Sequence, residues 1–133
     1  MPATVTVEVR QVGPATSEGR VRTHTVRIDR PLEKGGADQG PMGGELLLLA
    51  LRGCFMSSLL AAIRAREAAV TNARVEVVGT LAEAPPRFSA IELRVHADHA
   101  DRALMEKLVQ ISERACIVAN TLRDAVALSV RLV

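Results

Sequence analysis

The chain has 133 residues, of which 48% are hydrophobic and 24% charged, a balance that suits one globular domain and excludes extended disorder. Two Phe, no Tyr and no Trp leave almost nothing on which bases could stack, and 17 basic against 15 acidic residues, scattered along the chain, give a net charge of only +2. Sequence-independent nucleic-acid binding is therefore excluded as a working reading, and the core must be built from Leu, Val, Ile and Ala.

The N-terminus alternates Val5, Val7 and Val9 with Thr4, Thr6, Glu8 and Arg10, which predicts a first strand with one buried face. "GPATSEG", 13–19, has the composition of a loop, and a second strand is predicted from about Arg20 to Asp29. The stretch 31–45, "PLEKGGADQGPMGGE", holds two prolines and five glycines. A loop of that length is usually functional or disordered, and its glycines permit a tight path over a helix entrance. They resemble a phosphate loop only in composition, because no Gly-Lys-Ser/Thr ending follows.

A long helix is predicted from Gly43–Gly44 to about Ala68, roughly 36 Å at 1.5 Å per residue, with Glu45 in its first turn where a carboxylate complements the dipole. Nearly every position from Leu46 to Ile63 is apolar or small. Arg52 near its centre and the lack of aromatic flanks argue for a buried core helix rather than a membrane span. Cover on most sides then has to come from a second helix and a second subunit. Segments 73–84 and 87–97 form a predicted hairpin around Pro85–Pro86, and 98–115 is an amphipathic helix with Leu104, Leu108, Ile111 and Ala115 at helical spacing. After Cys116 a turn and a short helix capped near Asn120 are expected, and "VALSVRLV" closes the chain as a strand. The expected order is β-β-α-β-β-α-β, an α+β domain over 1–133 with antiparallel strands packed on two long helices.

Cys54 and Cys116 carry the chemical interest. The N-terminal segment has none of the features of a signal peptide, so a reducing, cytoplasmic compartment with both thiols free is expected. A cysteine reacts as its thiolate, which a helix N-terminus, a cation or a metal stabilises. Cys54 has none of these on its own helix, where Leu47, Leu51, Ser58 and Ala61 share its face, so any cation must come from another segment. Cys116, at a helix end where the chain can swing, stands where a resolving thiol would be placed. Both cysteines are equally open to a reading as inert core filler. His24, His96 and His99 are scattered without metal-ligand spacing, and no cofactor is called for.

Two motifs, in order, resemble a family. "GPMGGELLLLALRGCF", 40–55, resembles the helix entrance of the OsmC/Ohr proteins (osmotically inducible protein C and organic hydroperoxide resistance proteins), and "SERACIVANTL", 112–122, is similar to their second cysteine motif. "HTVRIDRPLEKGGADQGP", 24–41, resembles the segment that joins them to the strands. The resemblance implies an intertwined homodimer and thiol-dependent reduction of organic hydroperoxides, with Cys54 as attacking thiolate, Cys116 as resolving thiol and an external dithiol as reductant. It also implies an arginine beside Cys54 held by a glutamate. Arg20 is the candidate cation, with Arg10, Arg22 and Arg27 as alternatives, and Glu45 is the nearest carboxylate, one residue out of the family spacing. The proline that often follows the second cysteine is Ile117 here. A dimeric stress-related or small-molecule-binding protein of the same fold, without peroxidase activity, is the alternative.

Overall fold

The computed structural model describes residues 3–133, which divide into two compact units, one ending at Leu47 and one from Leu48 to Val133. In the first unit β1 (Glu8–Gln11), β2 (Ser17–Val21) and β3 (His24–Ile28) form an antiparallel meander in that order. Glu8 faces Arg20 across β1 and β2, and Arg20 faces Thr25 across β2 and β3. The first ladder is shorter than the valine alternation predicts. β2 ends at Val21, so the residues before Glu8 run out of partner.

The segment expected as one strand over 20–29 is instead a hairpin. Arg22, at φ +53°, and Thr23 make its two-residue turn. Nor is 13–19 all loop: only Val12 to Thr16 turns, with the N–H groups of Val12 and Gly13 donating to Thr16 O at 2.9 and 3.1 Å, and Ser17 to Gly19 join β2. Small and charged residues gave no apolar signal there, yet a central strand is held by its two ladders whatever its side chains.

The glycine-rich segment is pinned by a residue the periodicity does not flag. Asp29, at the end of β3, is buried, and its carboxylate accepts from Thr16 Oγ1 (2.8 Å), Arg30 N (2.7 Å), Gln39 N (3.1 Å) and, more weakly, Ala37 N (3.3 Å). Burial alone would raise this carboxyl, but the hydroxyl and the three N–H donors outweigh it and hold it below the usual carboxylate value. The loop passes so close to the strand that a Cβ on Gly36 would sit 1.9 Å from Arg30 O, and one on Gly40 2.2 Å from Arg27 O.

α1 (Gly43–Ala65) follows. In the second unit it buries one stripe, Leu51, Phe55, Leu59 and Ala62, at the spacing of a single helix face. Elsewhere on the helix Leu48, Met56 and Ile63 are half-buried against this core, while Leu49 is 50% and Leu60 52% exposed. β4 (Val70–Ala82) and β5 (Arg87–His99) form the expected hairpin. β6 (Ala127–Leu132) lies on the other side of β5 and runs parallel to it, so this sheet is mixed and not wholly antiparallel. A parallel neighbour needs a crossover, which α2 (Arg102–Ala115) and α3 (Ile117–Leu122) supply.

The core of this unit is the α1 stripe, Val75 of β4, Ile91, Leu93 and Val95 alternating along β5, Met105, Leu108 and Val109 of α2, and Cys116 and Ala119. Asp101 caps α2 by accepting from Leu104 N at 3.0 Å. The buried face of α2 is Met105, Leu108, Val109 and Ser112, turned from the predicted one; Leu104 and Ile111 flank it and Ala115 is exposed. Ser112 fits inside because its hydroxyl donates to Leu108 O at 2.7 Å.

Candidate active site

The first thiol is set by the period of α1. Cys54 precedes Phe55 of the buried stripe, which leaves it half-buried at the edge of the core. Of the residues predicted to share its face, Leu51 is fully buried, Ser58 half-buried, and Leu47 and Ala61 exposed, so the face straddles the core boundary.

The second thiol is set by a helix stop. Cys116 has extended backbone, φ −79° and ψ 110°, and is at once the C-cap of α2 and the N-cap of α3. It is fully buried, and its Sγ accepts from Ala119 N at 3.4 Å. The short helix is therefore capped by Cys116 itself and not near Asn120, which lies within α3 and donates from Nδ2 to Arg114 O at 3.0 Å.

The two thiols bear on each other's ionisation. The Cys116 side chain and the backbone N–H groups of Val118 and Ile117 act on Cys54. Burial pushes the Cys54 thiol up, but the Val118 N–H, the Cys116 side chain and the Ile117 N–H together overcome it and hold the thiol below its ordinary value. Cys116 moves the other way. Burial raises it, the N–H of Ala119 opposes, and the hydrogen bond to and negative charge of Cys54 raise it further. The two thiols are thus shifted apart, Cys54 toward greater acidity and Cys116 away from it; both are free thiols. No activator is legible along α1, because the donors come from α3, sixty residues downstream in sequence.

Arg20 and Glu45 lie in the N-terminal unit. Arg20 projects from β2 and is exposed. Glu18 pairs with Arg10 at 3.8 Å and Arg27 at 3.6 Å, which leaves Arg20 and Arg22 without an ion pair among the described residues. Glu45 is engaged as a cap, accepting from Met42 N at 2.9 Å. The histidines do not converge: His96 Nε2 lies 2.9 Å from Glu76 Oε1 across the β4–β5 hairpin, and among the described residues no group of three or more His, Cys, Asp or Glu could hold a metal ion.

The OsmC-like protein family profile matches residues 35–131, a span that contains both cysteines. The chain belongs to the OsmC family. No curated protein matches its sequence. Solved structures share the fold over nearly the whole chain at low identity. A putative osmotic stress induced and detoxification response protein from Psychrobacter arcticus is 17% identical with a TM-score of 0.84, over 100% of this chain and 98% of that one. An OsmC-like protein of unknown function from Vibrio cholerae is 12% identical with a TM-score of 0.82, over 99% and 100%. The organic hydroperoxide resistance protein OhrB of Bacillus subtilis is 19% identical with a TM-score of 0.68, over 98% of each chain. These likenesses establish the fold of this OsmC protein.

Proposed function

We propose that this OsmC protein is a thiol-dependent peroxidase that reduces organic hydroperoxides through Cys54 and Cys116. The observation that supports the reading is the opposed shift of the two thiols, Cys54 lowered by hydrogen bonds from Val118, Cys116 and Ile117 against the opposing effect of burial, and Cys116 raised by burial. In the first step the Cys54 thiolate attacks the O–O bond, leaving a sulfenic acid on sulfur and releasing the alcohol. In the second the Cys116 thiol condenses with the sulfenic acid, forming the disulfide and expelling water, and an external dithiol returns both thiols while becoming a disulfide itself. The partly buried apolar edge of the core at which Cys54 stands would favour alkyl hydroperoxides over hydrogen peroxide by burial of the tail.

Arg20 is the proposed cation of the first step. Its place on β2 without an ion-pair partner supports that assignment over Arg10 and Arg27. The proposed assembly is a homodimer in the cytoplasm, supported by the half-exposed leucines of α1, which a partner would cover. α1 is also long and apolar enough to cross a membrane, but its Leu51, Phe55, Leu59 and Ala62 are committed to a core with β4, β5 and α2.

The decisive experiment is consumption of tert-butyl hydroperoxide with dithiothreitol as reductant. Cys54→Ser is expected to abolish turnover, and Cys116→Ser to leave a sulfenic acid that dimedone captures; retained turnover in Cys54→Ser excludes the reading. One observation favours the alternative of a binding protein without peroxidase activity: Glu45 is occupied in capping α1. Two native thiols inert to peroxide, with a melting temperature that rises with an apolar ligand, would select it.

A further inference from the structure

The corner that carries Cys116 is closed by side chains from both helices. Arg123, at the end of α3, donates from Nη1 to Glu113 Oε2 at 2.8 Å and from Nη2 to Asn120 Oδ1 at 3.0 Å. Asn120 in turn donates to Arg114 O at 3.0 Å. Glu113 and Arg114 belong to the last turn of α2. The chain between the two anchor points contains Cys116, whose own N–H donates to Glu113 O at 3.3 Å and whose carbonyl accepts from Asn120 N at 3.0 Å. None of these side-chain hydrogen bonds involves a sulfur, yet together they tie the end of α3 to the last turn of α2.

We propose that Glu113, Asn120 and Arg123 form a clasp that positions Cys116 against Cys54 and so governs how fast a sulfenic acid on Cys54 is resolved. The inference rests on the peroxidase reading. A disulfide needs its two sulfurs about 2.05 Å apart with a defined torsion, so the Cys116 sulfur, which accepts from Ala119 N at 3.4 Å, has to close on Cys54 without losing its aim. In that step the Cys116 S–H bond and the Cys54 S–OH bond break, the S–S bond forms and water departs, with the external dithiol supplying the electrons of the later reduction. A corner tied on both sides of the pivot confines the search to productive orientations. If the clasp opens, Cys116 samples other directions and the sulfenic acid persists.

The clasp is a set of positioning residues, and its test reads the fate of the sulfenic acid. The 133-residue chain is reduced, given one equivalent of tert-butyl hydroperoxide in the presence of dimedone, and scored by mass for Cys54 adduct against Cys54–Cys116 disulfide. Arg123→Ala, which removes both of its hydrogen bonds, is expected to raise the adduct-to-disulfide ratio about fivefold, the size that a partly exposed ion pair and a neutral hydrogen bond justify. Glu113→Gln, which keeps an acceptor and the fold, should shift it about twofold, and exchanging the pair as Glu113→Arg with Arg123→Glu should restore part of the disulfide yield. Melting curves taken alongside separate this from general destabilisation. A wild-type ratio in both Arg123→Ala and Glu113→Gln overturns the clasp alone, because wild-type oxidation would still stand. Absence of both adduct and disulfide in the wild-type protein overturns the peroxidase reading and the clasp with it.

Discussion

The unpaired face of α1 lends itself to a quantitative test of self-association. Leu49 is 50% and Leu60 52% exposed, whereas Leu51 on the same helix is fully buried. Burying a whole leucine side chain is worth about 1.5–3 kcal/mol, so the half left on each exposed leucine is worth about 1 kcal/mol if a partner covers it. A twofold-symmetric dimer counts each residue twice. The double substitution Leu49→Ala/Leu60→Ala therefore removes about 3 kcal/mol after allowing for the remaining Cβ atoms, which weakens dimerisation by about a hundredfold in Kd. Sedimentation equilibrium over a range of protein concentrations measures that directly. Leu51→Ala is the contrast: it should lower the stability of the chain itself by about 2–5 kcal/mol in denaturant titration. An unchanged Kd in the double variant would refute the assignment of this face to a partner.

Three further outcomes follow from the geometry. The Cys54 thiol lies below and the Cys116 thiol above its ordinary value, so iodoacetamide should modify Cys54 first as pH rises from 6 to 9, with peptide mapping as the check; the reverse order would contradict the polarity of the pair. Asp29→Asn should speed amide exchange at Ala37 and Gln39. In the unaltered protein the folded-state carboxyl is the more acidic, so its stabilising contribution is complete well above the unfolded value of about 4 and declines as pH falls through the lower folded value; a pH-independent melting temperature below 4 would count against it. Glu45→Ala should cost about 0.5–1 kcal/mol through loss of a cap, measured by thermal melting, and leave peroxide turnover largely intact if capping is its main task.

Long periodic segments were the readable part of the fold. The β4–β5 hairpin, the apolar α1 and the amphipathic α2 each repeat their signal over many residues, and each stands where the pattern placed it within a few positions. Short elements escaped. β2 is held by two ladders and not by an apolar face, and the turn at Arg22 uses a residue that gives no turn signal. The direction of β6 was equally hidden, because alternation reports burial and not polarity of the strand.

At the site, the family motifs pointed to the two cysteines, and the titration of each responds to the other. What acidifies Cys54 is a property of the backbone of Ile117 and Val118, and backbone N–H groups leave no mark in composition. Asp29 was missed for a related reason: a single carboxylate at a strand end acquires meaning only when Thr16, Ala37 and Gln39 fold around it. The clasp residues Glu113, Asn120 and Arg123 read in sequence as ordinary polar positions near a helix stop.

The parallel pairing of β6 with β5 bears on how the protein is made. β5 carries Ile91, Leu93 and Val95 through the middle of the sheet, and the edge that β6 fills is satisfied only by residues from Ala127 onward. A nascent chain halted before that point therefore presents an apolar strand whose outer edge over Ala90–Val95 is unanswered. Synthesis and completion of this sheet are thereby tied together, and transcripts truncated upstream of Ala127 should yield inclusion bodies instead of a shorter soluble protein.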